Sequence, residues 1–166
     1  MGLKKTKFAN PSGLPDQDHY TTAKELALIM FYAMKNQTFR KITATTQYKI
    51  HENTIVNHNK LLKLYSDCIG GKTGYTMEAG RCLVSVAERR GVSLICVTLG
   101  IRDDWNVHTN AYEKWFANVK EVTVEEAGAF LVSLPVAGGG EVVAKNCNKV
   151  TAKVFKENET MKKTIK

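Results

Sequence analysis

The chain has 166 residues, 43% of them hydrophobic, and a formal net charge of +8; that is enough for one domain or one and a half with a real core, and it excludes global disorder. Much of the basic excess sits at one end, where Lys145 to Lys166 carries seven lysines against Glu157 and Glu159. This reads as a solvated strand face and tail, would also suit a polyanionic surface, and comes without the basic-aromatic motif of a nucleic-acid binder. No segment approaches the ~20 apolar residues of a membrane span, and Cys68, Cys82, Cys96 and Cys147 form no C-x-x-C pair and no zinc spacing with histidine, so no metal site is expected.

Taken in order, Phe8 to Asp16 holds Asn10-Pro11, Gly13 and Pro15 and reads as a turn-rich loop. Thr22 and Glu25 have the Thr-x-x-Glu spacing of a capping box. Leu26, Ile29, Met30, Ala33 and Met34 then recur at helical spacing and predict a core-facing helix over about 23–35, stopped by Asn36. Phe39 to Ile42 reads as a short helical turn, and Thr43 to Ile50 is rich in β-branched residues. His51 to Lys60 is polar; its Asn53, Asn57, His58 and Asn59 either line a cleft or form a surface loop, the commoner case. Leu61 to Tyr65 is a short apolar anchor.

The central stretch is Gly70-Gly71-Lys72-Thr73-Gly74-Tyr75-Thr76. Glycines let a backbone approach a ligand, and Lys and Thr add a charge and a hydroxyl. Gly71-Lys72-Thr73 fits the end of a phosphate loop, but Ser66 stands where that pattern needs its first glycine, and a strand rather than a helix follows. Against it stand the Lys-Thr-Gly strand of serine penicillin-binding enzymes and a plain turn with a solvated lysine. Cys82 to Ala87 and Val92 to Leu99 alternate as strands around Glu88-Arg89-Arg90-Gly91, a hairpin turn, and join the Lys72 segment in a three-stranded antiparallel meander. Cys82 and Cys96 read as buried thiols in these strands, with a bridge between them left open.

After Gly100, Asp103 or Asp104 can cap a helix over about 104–117 whose apolar face carries Trp105, His108, Tyr112, Trp115 and Phe116; His108 there reads as a satisfied core histidine. From Val119 short β-like pieces follow, at 121–124, 129–134, 141–144 and 150–155, with Gly138-Gly139-Gly140 between two of them. The fold class expected is α+β. An antiparallel sheet around Lys72, Val84 and Ile95 packs against the two helices over residues 1–118, and a partial small all-β domain begins at 119–166.

Together these pieces are similar to the D-alanyl-D-alanine carboxypeptidases, the low-molecular-weight penicillin-binding proteins. The resemblance rests on Phe8-Ala9-Asn10-Pro11-Ser12-Gly13-Leu14-Pro15, His19-Tyr20-Thr21-Thr22-Ala23, Asn57-His58-Asn59-Lys60-Leu61-Leu62, and Gly71 to Thr76 followed by Ala79-Gly80. It covers nearly the whole chain. The family's nucleophile lies in Ser-x-x-Lys and a second motif is Ser-x-Asn; none of Ser12, Ser66, Ser85, Ser93 and Ser133 fits either, and Thr21-x-x-Lys24 reads as part of a helix start. The resemblance therefore implies the C-terminal portion of the catalytic domain with the start of an accessory β domain. Signal peptide and any membrane anchor would lie in segments outside this sequence.

The resemblance implies cleavage of the terminal D-alanine from a peptidoglycan stem peptide through an acyl-enzyme, outside the cytoplasm, without metal or cofactor, and with β-lactams as ligands of the full-length parent. Carried onto matching positions, Lys72 supplies charge beside the substrate carboxylate and assists proton transfer, and Thr73 binds that carboxylate. Gly74 lets substrate lie on the strand, and the Tyr75 N–H is half of an oxyanion hole. With no nucleophile, the chain alone is expected to be inactive; a non-catalytic module binding cell-wall peptide or glycan is the other reading. The side that meets the missing half is expected to expose apolar surface.

Overall fold

Alternating side chains and one tight turn build the core of the first unit. Strands β3 (Cys68–Thr76), β4 (Gly80–Arg89) and β5 (Val92–Leu99) form an antiparallel meander in the order β3-β4-β5. Arg90 and Gly91, with φ of 51° and 74°, make the two-residue turn between β4 and β5. The computed structural model describes residues 1–135, 139 and 141–156, and the chain divides into two compact units, Met1–Lys114 and Trp115–Lys166. The fold class is α+β, with antiparallel sheets and helices as the sequence predicts.

The meander is covered on both faces, because its strands carry two different alternating sets. Val84, Val86, Ile95 and Val97 face helix α1 (Ala23–Ala33), where they pack with Leu26, Met30 and Met34, and with Phe39 of α2 (Gln37–Ala44). On the other face the register sets Leu83 opposite Thr98 and Ser85 opposite Cys96. There helix α4 (Asp104–Ala117) brings His108 against Ser85 and Thr98.

Several local readings differ from what forms. Thr22 does cap α1, its hydroxyl accepting the Glu25 N–H at 3.2 Å. The Glu25 carboxylate does not close the box; it accepts the Lys4 N–H at 2.8 Å, the Lys5 N–H at 3.0 Å and the Thr6 hydroxyl at 2.5 Å. A carboxylate held by three donors does more for the chain than one returned to its own helix, since it ties the N-terminal segment to α1. The Thr6 hydroxyl, ahead of the backbone N–H groups, holds its pKa down. Asn36 is not only a stop: its side chain accepts the Phe39 N–H at 3.0 Å and starts α2. Part of the polar stretch 51–60 is a strand. β1 (Gln47–Ile50) pairs with β2 (Asn53–Val56) across a His51-Glu52 turn, and all eight strand positions are exposed. Leu61 to Leu64 forms the short helix α3, with Leu61 fully buried.

Cys82 and Cys96 are free and only partly buried. The register places Cys82 opposite Leu99 and Cys96 opposite Ser85. This offsets the two thiols by three positions, about 10 Å of strand, beyond disulfide reach. Apolar side chains remain uncovered on the first unit, among them Leu28, Phe31 and Tyr32 of α1, Ile42 of α2, and Tyr48 and Ile55 of the β1–β2 hairpin.

In the second unit, β6 (Val119–Glu125) pairs with β9 (Val150–Phe155), and β7 (Phe130–Pro135) with β8 (Glu141–Lys145), both antiparallel. The Trp115 ring meets Phe155 edge-on at 5.6 Å. The Asn146 amide clamps the β8–β9 turn, donating to the Glu126 and Asn148 carbonyls at 2.7 and 3.0 Å. Gly138 and Gly140 of the glycine run, and the basic tail after Lys156, lie outside the described residues. No described helix is long and apolar enough to cross a membrane.

Candidate active-site strand and its clefts

Among the described residues strand β3 is the edge of its sheet, pairing only with β4, so its outer half offers backbone donors and acceptors to whatever lies alongside. Its inner half is fixed by packing. A Cβ on Gly71 would sit 2.5 Å from the Val84 carbonyl oxygen and 2.9 Å from Ser85 Cα, and one on Gly70 would meet the Thr43 hydroxyl at 2.8 Å. The fold therefore needs both glycines. Gly74 is different: a Cβ there would find nothing nearer than Cys82 Cβ at 3.9 Å. Its side is open, and packing gives no reason for glycine.

The four residues singled out in the sequence come together on this outer half. Lys72 is exposed, its ammonium donating to the adjacent Thr73 carbonyl. Gly74 and Tyr75 are exposed and Thr73 is half-buried. Two clefts border the strand. Thr73, Gly74 and Tyr75 line one of about 720 Å³, together with Lys60, Lys63 and Arg81. Gly71 and Lys72 line another of about 740 Å³, together with Lys41, Thr43 and Tyr48. Both include Val56, Asn57 and His58.

The polar stretch 57–60 is thus cleft wall as well as loop, and its asparagines hold the wall in shape. Asn57 donates to the Thr45 carbonyl at 2.9 Å and accepts the Asn59 N–H at 2.9 Å. Asn59 is 2% exposed and accepts the Leu61 N–H at 3.2 Å. Satisfied amides of this kind replace the backbone bonds that an irregular segment lacks.

Sequence reading missed Arg81. It stands opposite Tyr75 in the β3–β4 register. Its Nε and Nη2 donate to the two oxygens of Asp104 at 3.2 and 2.7 Å, and its guanidinium lies 5.1 Å from the Trp105 ring centroid. Asp104 is 1% exposed, so the pair is half buried and removing the arginine would strand a carboxylate. The signal was present: an arginine at a position alternating with Leu83 and Ser85 needs a carboxylate on that face, and Asp103-Asp104 begins the next helix.

One constellation imitates catalytic machinery. Ser85 Oγ lies 2.6 Å from His108 Nδ1, His108 Nε2 lies 3.1 Å from the Thr98 hydroxyl, and Tyr112 OH lies 2.7 Å from Ser85 Oγ. Ser85 and His108 have no exposed surface, and neither lines either cleft. Burial pulls the His108 pKa down to about 4, with the Asp104 charge a smaller, opposing influence, so the ring is neutral at neutral pH. It is a core histidine with both nitrogens partnered. Among the described residues no cluster of His, Cys, Asp and Glu could hold a metal.

A meander covered by helices on both faces, with Lys-Thr-Gly on its open edge strand, is the architecture of the penicillin-binding transpeptidase fold. The chain superposes on penicillin-binding protein 5 of Haemophilus influenzae with a TM-score of 0.72 at 25% identity, covering 95% of this chain and 48% of that one. It also superposes on a point mutant of the DD-transpeptidase of Streptomyces K15 with a TM-score of 0.68 at 33% identity, covering 70% and 50%. The chain belongs to the D-alanyl-D-alanine carboxypeptidase family, whose profile matches residues 1–103. Among curated relatives it is 38% identical over 105 residues to the D-alanyl-D-alanine carboxypeptidase DacF of Bacillus subtilis, covering 60% of this chain and 27% of that protein. It thus spans about half of the solved structures and little more than a quarter of DacF.

Proposed function

We propose that this chain supplies the substrate-holding strand of a serine-type D-Ala-D-Ala carboxypeptidase acting on peptidoglycan stem peptides outside the cytoplasm, and that it does not perform the chemistry alone. The observation that carries this reading is the outer half of β3: an edge strand with Lys72 exposed and Gly74 a glycine that packing does not require. A peptide ending in D-Ala-D-Ala lies along that edge as an added strand. Lys72 and the Thr73 hydroxyl hold its terminal carboxylate by charge-assisted hydrogen bonds. Gly74 leaves room for its methyl groups, and the Tyr75 N–H faces the scissile carbonyl, where it stabilises the oxyanion of the tetrahedral intermediate.

Acyl transfer also needs a nucleophile and a second oxyanion donor. Ser85 is sealed behind the sheet, and none of Ser12, Ser66, Ser93 and Ser133 has a lysine three residues on. Losing one oxyanion donor costs roughly 100- to 1,000-fold and losing the nucleophile more. Labelling with a fluorescent penicillin should leave no covalent band on this chain; a band would overturn the claim that it lacks the nucleophile. Titration with a D-Ala-D-Ala peptide should shift the backbone amide resonances of Lys72 to Tyr75, and Thr73→Ala should weaken that binding about tenfold, the worth of one charge-assisted bond. Shifts confined to other residues would remove the site from β3.

A further inference from the structure

The meander has two edges, and only one of them is guarded. β3 has a register shift between Cys68 and Gly70, glycines at 70, 71 and 74, and the exposed Lys72. These leave room for a short ligand on the outer half but interrupt any long strand that would run along the whole edge. β5 is the other edge, pairing only with β4 among the described residues. Its eight residues, Val92-Ser93-Leu94-Ile95-Cys96-Val97-Thr98-Leu99, include no charge, no proline and no glycine. Their register with β4 runs unbroken from Cys82–Leu99 to Arg89–Val92. Leu94 to Val97 are already half-buried and Thr98 is buried, because helices cover both faces of the sheet. A strand that is uncharged and shielded on both faces has the character of a sheet interior. Standing at an edge, it presents a straight row of backbone N–H and C=O groups with none of the usual devices against pairing.

We infer that β5 is the self-association edge of this chain: two copies pair their β5 strands antiparallel about a two-fold axis. That axis stands perpendicular to the sheet, so each face is continued by the same face of the copy. The side carrying Ile95 and Val97 runs on into Ile95 and Val97, and the side carrying Cys96 and Thr98 into its equivalent. A foreign strand would need a matching pattern on both faces, which a copy has by construction. Every cross-strand pair is then apolar or hydroxyl-bearing, and no like charges stand opposite one another. The result is one continuous sheet in the order β3-β4-β5-β5-β4-β3, of ordinary width for a folded protein. Both β3 edges stay at its outer rims, so the association leaves the Lys72 strand open.

Sedimentation equilibrium of the full chain over a wide concentration range tests this, with reductant present because Cys147 is an exposed free thiol. A reversible monomer–dimer equilibrium is expected. Hydrogen exchange should slow with rising concentration at alternate amides of Val92 to Leu99, those that point away from β4. Ser93 and Leu99 are the exposed positions of β5, so Ser93→Lys/Leu99→Lys keeps the fold while setting four added positive charges along the seam; its denaturation midpoint in dilute solution checks the fold. Dimerisation of this variant should weaken about tenfold or more and recover in part at high salt. A chain that stays monomeric at every concentration would overturn the inference. A dimer as tight in the lysine variant, or one without concentration-dependent protection in β5, would also overturn it and move the contact to another surface, such as the exposed Leu28, Phe31 and Tyr32 of α1.

Discussion

The two halves of β3 share one strand and obey different rules. The inner half, Cys68 to Gly71, backs onto Ser85 and, through it, His108 and Tyr112, a polar cluster with almost no exposed surface. The outer half, Lys72 to Thr76, backs onto Arg81 and opens on two clefts. Glycine occurs in both, for opposite reasons: Gly71 because a neighbouring backbone is in the way, Gly74 although nothing is. A residue explained by packing argues nothing about function, whereas a glycine without a packing reason points to something outside the chain.

The largest effect expected to test this contrast is Gly71→Ala. The new Cβ would stand 2.5 Å from the Val84 carbonyl oxygen. Backbone cannot rotate away as a side-chain tip can, so the strand must shift, at a cost of about 3 kcal/mol, the upper end for overpacked sites. Urea denaturation should show a lowered midpoint with an unchanged slope. An unaltered midpoint would mean that the inner half is not held as described.

Next comes the polar cluster behind it. With its folded pKa near 4 and an ordinary value of 6.5, His108 takes up its proton more readily in the unfolded chain. Stability should therefore be fully present above pH 6.5, fall as pH drops toward 4, and level off below. The total loss is about 3 kcal/mol at roughly 1.4 kcal/mol per pH unit. His108→Gln keeps a polar group at the site and should flatten that pH profile while costing stability at neutral pH. A profile unchanged by the substitution would mean that other groups set the acid sensitivity.

What the sequence disclosed followed burial. The meander and α4 were legible because their strands alternate and their helix carries an apolar stripe, and both patterns record a core. The strand β2 went unread within a polar stretch taken as cleft wall or surface loop, because none of its positions is buried; with no buried face, Asn53-Thr54-Ile55-Val56 has no period to show. Glu25 and Asn36 were legible as residues near helix ends, but their partners, the N–H groups of Lys4 and Lys5 and of Phe39, depend on which segment comes near. In the candidate site, Lys72 to Tyr75 stood out by composition. Arg81 did not, because its meaning lies in a register that sets it opposite Tyr75 and in a carboxylate 23 positions further on.

The smallest effect on stability, and the sharpest test, belongs to Gly74→Ala. Its Cβ would make only ordinary contact with Cys82 at 3.9 Å, and alanine lowers the entropy of the unfolded chain. The denaturation midpoint should hold or rise slightly, by up to about 1 kcal/mol. Binding of a D-Ala-D-Ala peptide should nevertheless fall roughly tenfold, because the added methyl group fills the space that the proposed placement leaves for the peptide's own methyl groups; that is about 1.4 kcal/mol. The two measurements separate the readings of β3. Loss of binding with intact stability makes the outer half a surface shaped for a ligand. Loss of stability matching that of Gly71→Ala would make it ordinary packing, and the distinction between the two halves would go with it.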